Sequence, residues 1–240
     1  SSGDITSSLV LMLTDLRVNA SSGNIEMNEV TAPQIELSTT SGNIIVSKAE
    51  GNREFSASSG NIKVYGGTGD TSASTSSGNI LIESSTGLLE AKASSGSIVI
   101  IASNGEKELT TTAGDIEIKD SVGYTKASSS SGSIKADNLA GAGRFKTTAG
   151  DLELEFADVP EAITDDIHIS TSSGTAKLMI PASLQFQFNA DTSSGSIDTF
   201  FDDMLIFSDD EDHAEGSIGT APTISLNIST TSGNIEVNRW

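Results

Sequence analysis

The pentapeptide SSGNI at residues 21–25 returns at 58–62 and 76–80, and the variants TSGNI, SSGSI, TAGDI and SSGDI carry it along the chain. Aligned on its glycine, the motif stands at Gly3, Gly23, Gly42, Gly60, Gly78, Gly96, Gly114, Gly132, Gly150, Gly174, Gly195 and Gly233. The spacings are 20, 19, six of 18, then 24, 21 and 38. A fixed period near 20 residues marks a solenoid, in which each coil buries its apolar side only against stacked neighbours. A second glycine follows nine residues after six of these anchors, at Gly51, Gly69, Gly87, Gly105, Gly123 and Gly141. A half-coil of that length holds a strand of about five residues and a tight corner, and no helix of ordinary length.

Side-chain parity supports strands. Two residues after the anchor stands Ile at ten positions, with Leu152 and Ala176 at the other two. Four after it come Met27, Val46, Val64, Ile82, Ile100, Ile118, Leu154, Leu178 and Val237. Alternation with β-branched residues inward is a strand pattern. Before the anchor the inward set sits at odd offsets, including Val18, Leu37, Phe55, Leu109, Phe145 and Ile228 five residues back. A continuous strand cannot change parity, so the chain turns a corner at SGN. Glycine accepts positive φ there, and Asn, Asp or Ser beside it bonds to nearby backbone. The expected fold is all-β: a parallel β-solenoid of about 12–13 coils of 18–20 residues, with two main strands per coil. A right-handed path is favoured.

The chain reads as one domain over residues 1–240, with regular coils over 1–155, expanded coils and capping insertions over 156–222, and a final coil over 223–240. The spacing of 38 leaves room for a degenerate coil with Gly216 as its anchor. Residues 202–212 are expected to form a mobile or capping loop, because six carboxylates would repel one another in a stacked column. Its apolar part, Met204 to Phe207, is expected to pack.

The formal net charge of −20 repels phosphate backbones and anionic headgroups, so nucleic acid is excluded as a partner. There is no Cys, hence no disulfide or thiolate metal site. The longest apolar run, Leu9 to Leu13, is far short of the roughly 20 residues that span a bilayer. An upstream signal or anchor segment is expected to precede residue 1.

With STSSGNILI, TTTAGDIEI, KTTAGDLEL and the closing ISTTSGNIEVNRW, the chain resembles a bacterial family of β-strand-repeat proteins that is called adhesin by analogy and is otherwise of unknown function. The resemblance covers essentially the whole chain. It implies a β-repeat fold and a role at the cell surface or envelope, and it carries no catalytic residues across.

Candidate chemistry is sparse. A calcium β-roll needs an Asp in every turn, whereas the residue after the anchor is Asp only at Asp4, Asp115 and Asp151. One calcium ion could be held by oxygen ligands from Asp202, Asp203, Asp209, Asp210 and Asp212, against the plainer reading of a solvated acidic loop. No other cofactor is expected. A glycan lyase or hydrolase needs two carboxylates, and Glu117, Glu153, Asp198 and Glu236 share one outward column. Lys135 and Lys177 interrupt that column, which favours cross-strand charge pairing. An ice-binding face would need threonine ladders, and this face is mostly serine, beside Lys92, Lys146 and Asp191. His168 and His213 are the two histidines and read as surface residues. Ile45, Leu81 and Val99 stand at an outward offset where polar residues dominate, and with Met204 and Phe207 they form a candidate partner surface. The expected function is a non-enzymatic, extracytoplasmic, adhesin-like scaffold that presents a binding surface to a protein or glycan. The alternatives are an envelope-associated regulatory or scaffold domain and a polysaccharide lyase or hydrolase.

Overall fold

The computed structural model describes residues 3–208 and 211–240. The fold is a parallel β-solenoid, organised as two compact units, Ser1–Glu117 and Ile118–Trp240. In the first, Ile25, Ile44, Ile62, Ile80 and Ile98 face one another across successive coils, all fully buried. Opposite them runs the column Leu37, Phe55, Ala73, Ala91 and Leu109. Each fully buried isoleucine stabilises the stack by about 2–3 kcal/mol. At Gly51 the chain bends within a continuous strand, Ile44–Ser59, where the nine-residue spacing predicted a break.

The corner chemistry explains the motif. Gly60 has φ +146°, and a Cβ there would stand 1.8 Å from the carbonyl oxygen of Gly42 on the preceding coil. Both conformation and space therefore demand glycine. The next residue forms a ladder. Asn43 donates its backbone N–H to Asn24 Oδ1 at 2.9 Å, Asn61 to Asn43 Oδ1 at 2.9 Å and Asn79 to Asn61 Oδ1 at 2.8 Å. The same bond runs from Ser97 to Asn79 and from Thr175 to Asp151. The side-chain oxygens that a calcium β-roll would turn to metal are thus committed to backbone donors. Three residues before the anchor, buried threonines donate to the glycine carbonyl of the adjacent coil, as Thr75 does to Gly60 and Thr147 to Gly132. Such bonds satisfy carbonyls that would otherwise be buried unpaired.

The second unit departs from chain order. The inward column runs Ile134, Leu152, Ala176, Ile235, Ile197. The final coil, with strands Ile224–Ser232 and Ile235–Arg239, lies between the coil that begins at Ile167 and the coil that begins at Phe186. The spacing of 38 therefore holds no further coil. Instead Leu205–Phe207 pairs antiparallel with His213–Ile218, which pairs antiparallel with Phe186–Thr192. Gly216 lies inside this hairpin, not at a corner. The hairpin covers a strand edge that would otherwise expose its backbone groups. Phe186, Phe188 and Phe201 pack edge to face beneath it, with centroids 5.1–6.4 Å apart. Within residues 202–212, Asp202–Met204 is a single 3₁₀ turn and the three residues after it are strand, a correction to the expected loop. Met204 and Ile206 are 62% and 68% exposed, so the apolar part packs only through the half-buried Leu205 and Phe207.

Two cations are buried in the first unit, seven residues before an anchor. The Arg53 guanidinium donates to the carbonyls of Ala49, Gly66 and Gly69 and to Ser85 Oγ, at 2.7–3.3 Å. Lys107 Nζ donates to the Gly105 carbonyl at 2.8 Å. Burial lowers both from their ordinary values, Lys107 to about 8.

Candidate functional site

In-register stacking turns a fixed offset into a physical column, with neighbours about 4.8 Å apart. Six residues before the anchor, the side chains point outward. In the second unit this column reads Lys126, Arg144, His168, Asn227, Asn189 in spatial order. Two residues along the same strands, on the same face, it reads Ser128, Lys146, Ser170, Ser229, Asp191. Cations therefore gather on Gly143–Ala149 and its neighbours, and amides and hydroxyls on Ile224–Ser232 and Phe186–Thr192.

These residues line a shallow groove of about 330 Å³. Phe145, Ile169 and Ile228 lie buried beneath its floor. Arg144, Lys146, Asn189 and Asp191 are exposed, and His168 and Asn227 are half-buried. Among the described residues, Arg144, Lys146 and His168 make no ion pair. Asp191 is engaged: its Oδ1 lies 2.7 Å from His213 Nδ1, while His213 Nε2 is 3.9 Å from Glu215. The groove thus offers a cationic end, a neutral amide-and-hydroxyl middle and one carboxylate at the far corner.

The comparisons with known proteins bear on the fold that carries this groove. The family model described as Toastrack DUF4097 matches residues 1–119 and again residues 102–238. The chain belongs to the Toastrack DUF4097 family. This is a β-repeat family of unknown function. No curated protein and no solved structure matches the chain. The two Toastrack matches each span one of the compact units, apart from their overlap.

On this Toastrack scaffold the residues expected from sequence are dispersed. Leu81 and Val99 are neighbours across one strand pair, and Lys63 separates them from Ile45. All three aliphatics are half-buried. Met204 ends the 3₁₀ turn and Phe207 the first hairpin strand of the other unit. Asp202 Oδ1 accepts from the N–H and hydroxyl of Thr199, and Asp212 Oδ1 accepts from Ser208 Oγ, so both stabilise local turns. Asp203 is exposed, and Asp209 and Asp210 lie outside the described residues. Among the described residues no group of three or more acidic, His or Cys side chains converges as a metal site would require. In the carboxylate column, Lys135 Nζ lies 3.5 Å from Glu153, and Lys177 stands between Glu153 and Glu236. That alternation is charge pairing. Asp198 and Glu236 are adjacent.

Sequence reading missed the groove itself. Arg144 and His168 are 24 residues apart, and His168 read as a lone surface histidine. The usable signal was the offset from the anchor glycine.

The first unit holds a second exposed feature. Strands Ile5–Met12 and Leu16–Ser22 pair only with Ile25–Ser41 among the described residues. Leu9 is 72% and Met12 79% exposed on this edge. Among the described residues no helix is long and apolar enough to cross a membrane.

Proposed function

We propose that this chain is a non-enzymatic repeat scaffold outside the cytoplasm, and that the groove of the second unit is its binding face. The adhesin-like role suggested by the resemblance fits this reading. One observation carries it: Arg144 and Lys146 stand together on one strand face and, among the described residues, make no ion pair, in a chain of net charge −20. Unneutralised cations kept together on an acidic protein are suited to holding an anionic group. The groove's one carboxylate, Asp191, is held by His213 Nδ1 at 2.7 Å, and among the described residues it has no second carboxylate facing it across the groove to form the pair that glycoside cleavage needs. That set binds and orients better than it cleaves.

Fractionation of the native cells, protease protection and a glycan array with a turnover assay test the reading. Envelope location with binding and no product is expected. Release of product, or a purely cytoplasmic location, would overturn it. A second reading, an envelope scaffold that docks a protein partner, is favoured by the open strand edge bearing Leu9 and Met12. Cross-linking from that edge in whole cells distinguishes the two.

A further inference from the structure

We infer that the groove of the second unit binds an acidic oligosaccharide, with a uronate carboxylate on Arg144 and Lys146 and the sugar hydroxyls on Asn227, Asn189 and Ser229. This rests on the scaffold reading above and gives its ligand a chemical class.

The charge distribution selects the ligand. Arg144 and Lys146 lie on one face of one strand, about 7 Å apart along the backbone, so a single carboxylate can take the guanidinium fork with the ammonium beside it. His168 faces Arg144 across the strand pair and adds ring nitrogens that can donate to or accept from a sugar one coil further on. The next strands change character. Asn227 and Asn189 each offer both a donor and an acceptor, as does Ser229, which suits hydroxyl groups and is wasted on a second charge. At the far corner Asp191 repels a further carboxylate and accepts from a hydroxyl. A densely charged polyanion would set charge against Asp191. A peptide would find no open apolar side-chain pocket, because Phe145, Ile169 and Ile228 are buried beneath the floor. A pyranose unit is close in length to the strand spacing of about 4.8 Å, so successive sugars can meet successive strands. The net charge of −20 does not prevent this, since screening at physiological salt limits each charge to about 8 Å.

The test is calorimetric titration of the full chain, at physiological salt and upward, with a hexamer that alternates glucuronate with N-acetylglucosamine. The fully methyl-esterified hexamer and a hexaglutamate peptide are the comparison probes. We expect the uronate to bind and to weaken as salt rises. Arg144→Gln should weaken it about tenfold, and Arg144→Glu with Lys146→Glu should abolish it. Glu54→Gln, in the other unit, should leave it unchanged. Matching melting curves will confirm that the variants fold. Equal affinity for the methyl ester, equal affinity for hexaglutamate, no effect of the charge reversals, or no uronate binding at about millimolar concentration would each overturn the inference. No effect of the charge reversals would also remove the groove as the binding face, whereas the non-enzymatic scaffold reading fails only if new reducing ends appear during incubation with the hexamer.

Discussion

The same ladder position carries opposite charge in the two units. In the first, the column six residues before the anchor reads Arg17, Glu36, Glu54, Ser72, Glu90, Glu108. In the second it reads Lys126, Arg144, His168, Asn227, Asn189. Each unit has a shallow groove on this column, of about 290 Å³ in the first and 330 Å³ in the second. The first is lined by Glu54, Asp70 and Glu90, the second by Arg144, Lys146 and His168. The backbone geometry is shared, so the difference lies wholly in side chains that the ladder leaves free. A solenoid separates the two tasks: inward offsets hold the coil, and outward offsets are open to specialise.

The inward offsets differ too. Seven residues before the anchor, the first unit buries Arg53 and Lys107, whereas the second has Thr125, Gly143, Ile167, Leu226 and Phe188. Arg53 must satisfy its guanidinium with three carbonyls and a serine, and its Nε still lacks a partner. Desolvating a cation is costly, so these sites are where the first unit gives up stability.

Breaking the shared ladder should have the largest effect. Gly60→Ala in the first unit and Gly150→Ala in the second place a Cβ 1.8 and 2.3 Å from a backbone oxygen at φ near +150°. Each should cost about 3 kcal/mol or more in urea unfolding. A loss under about 1 kcal/mol at both would show that the corners do not set the register on which the comparison depends.

The buried cations should separate the units by pH. Lys107 has its folded value lowered to about 8 from 10.5, so between those values the unfolded chain holds a proton that the folded chain has lost. Stability should therefore rise across that window, by about 3 kcal/mol, and the penalty is fully present below pH 8. Urea melts followed by circular dichroism would show it. Lys107→Met should flatten the rise, and an unchanged alkaline rise in that variant would assign it elsewhere.

Smaller effects should come from the outward column. Glu36 faces Glu54, and Glu90 faces Glu108, so Glu54→Gln should be neutral or stabilising by a few tenths of a kcal/mol. Melting temperature at low salt checks this, and a clear destabilisation would mean that Glu54 holds a structural contact. Glu54→Arg with Ser56→Lys writes the cationic pair of the second unit into the first, within about ±0.5 kcal/mol of the parent. If the ladder and two cations suffice for binding, calorimetry should find a second uronate site. If none appears, the amides at Asn227 and Asn189 are required as well.

The sequence by itself determined the coil. Its period, the Ile column two residues after each glycine and the parity change at SGN specify inward and outward faces, because interchain-like hydrogen bonding between coils forces equal spacing and the core admits only apolar or bonded groups. Ile98 and Phe145 were legible as core residues on that basis alone. The tertiary structure decided the rest. Any in-register coil can pair with a free parallel edge, so chain order does not dictate spatial order, and the strand Ile224–Ser232 enters beside Ile167–Ser173 ahead of Phe186–Thr192. The basic groove exists because stacking brings residues 18–59 apart in sequence to one strand spacing, as it does Arg144, His168 and Asn227. A formal charge summed over 240 residues cannot reveal that, since screening makes charge a local property and only the fold says which charges are neighbours.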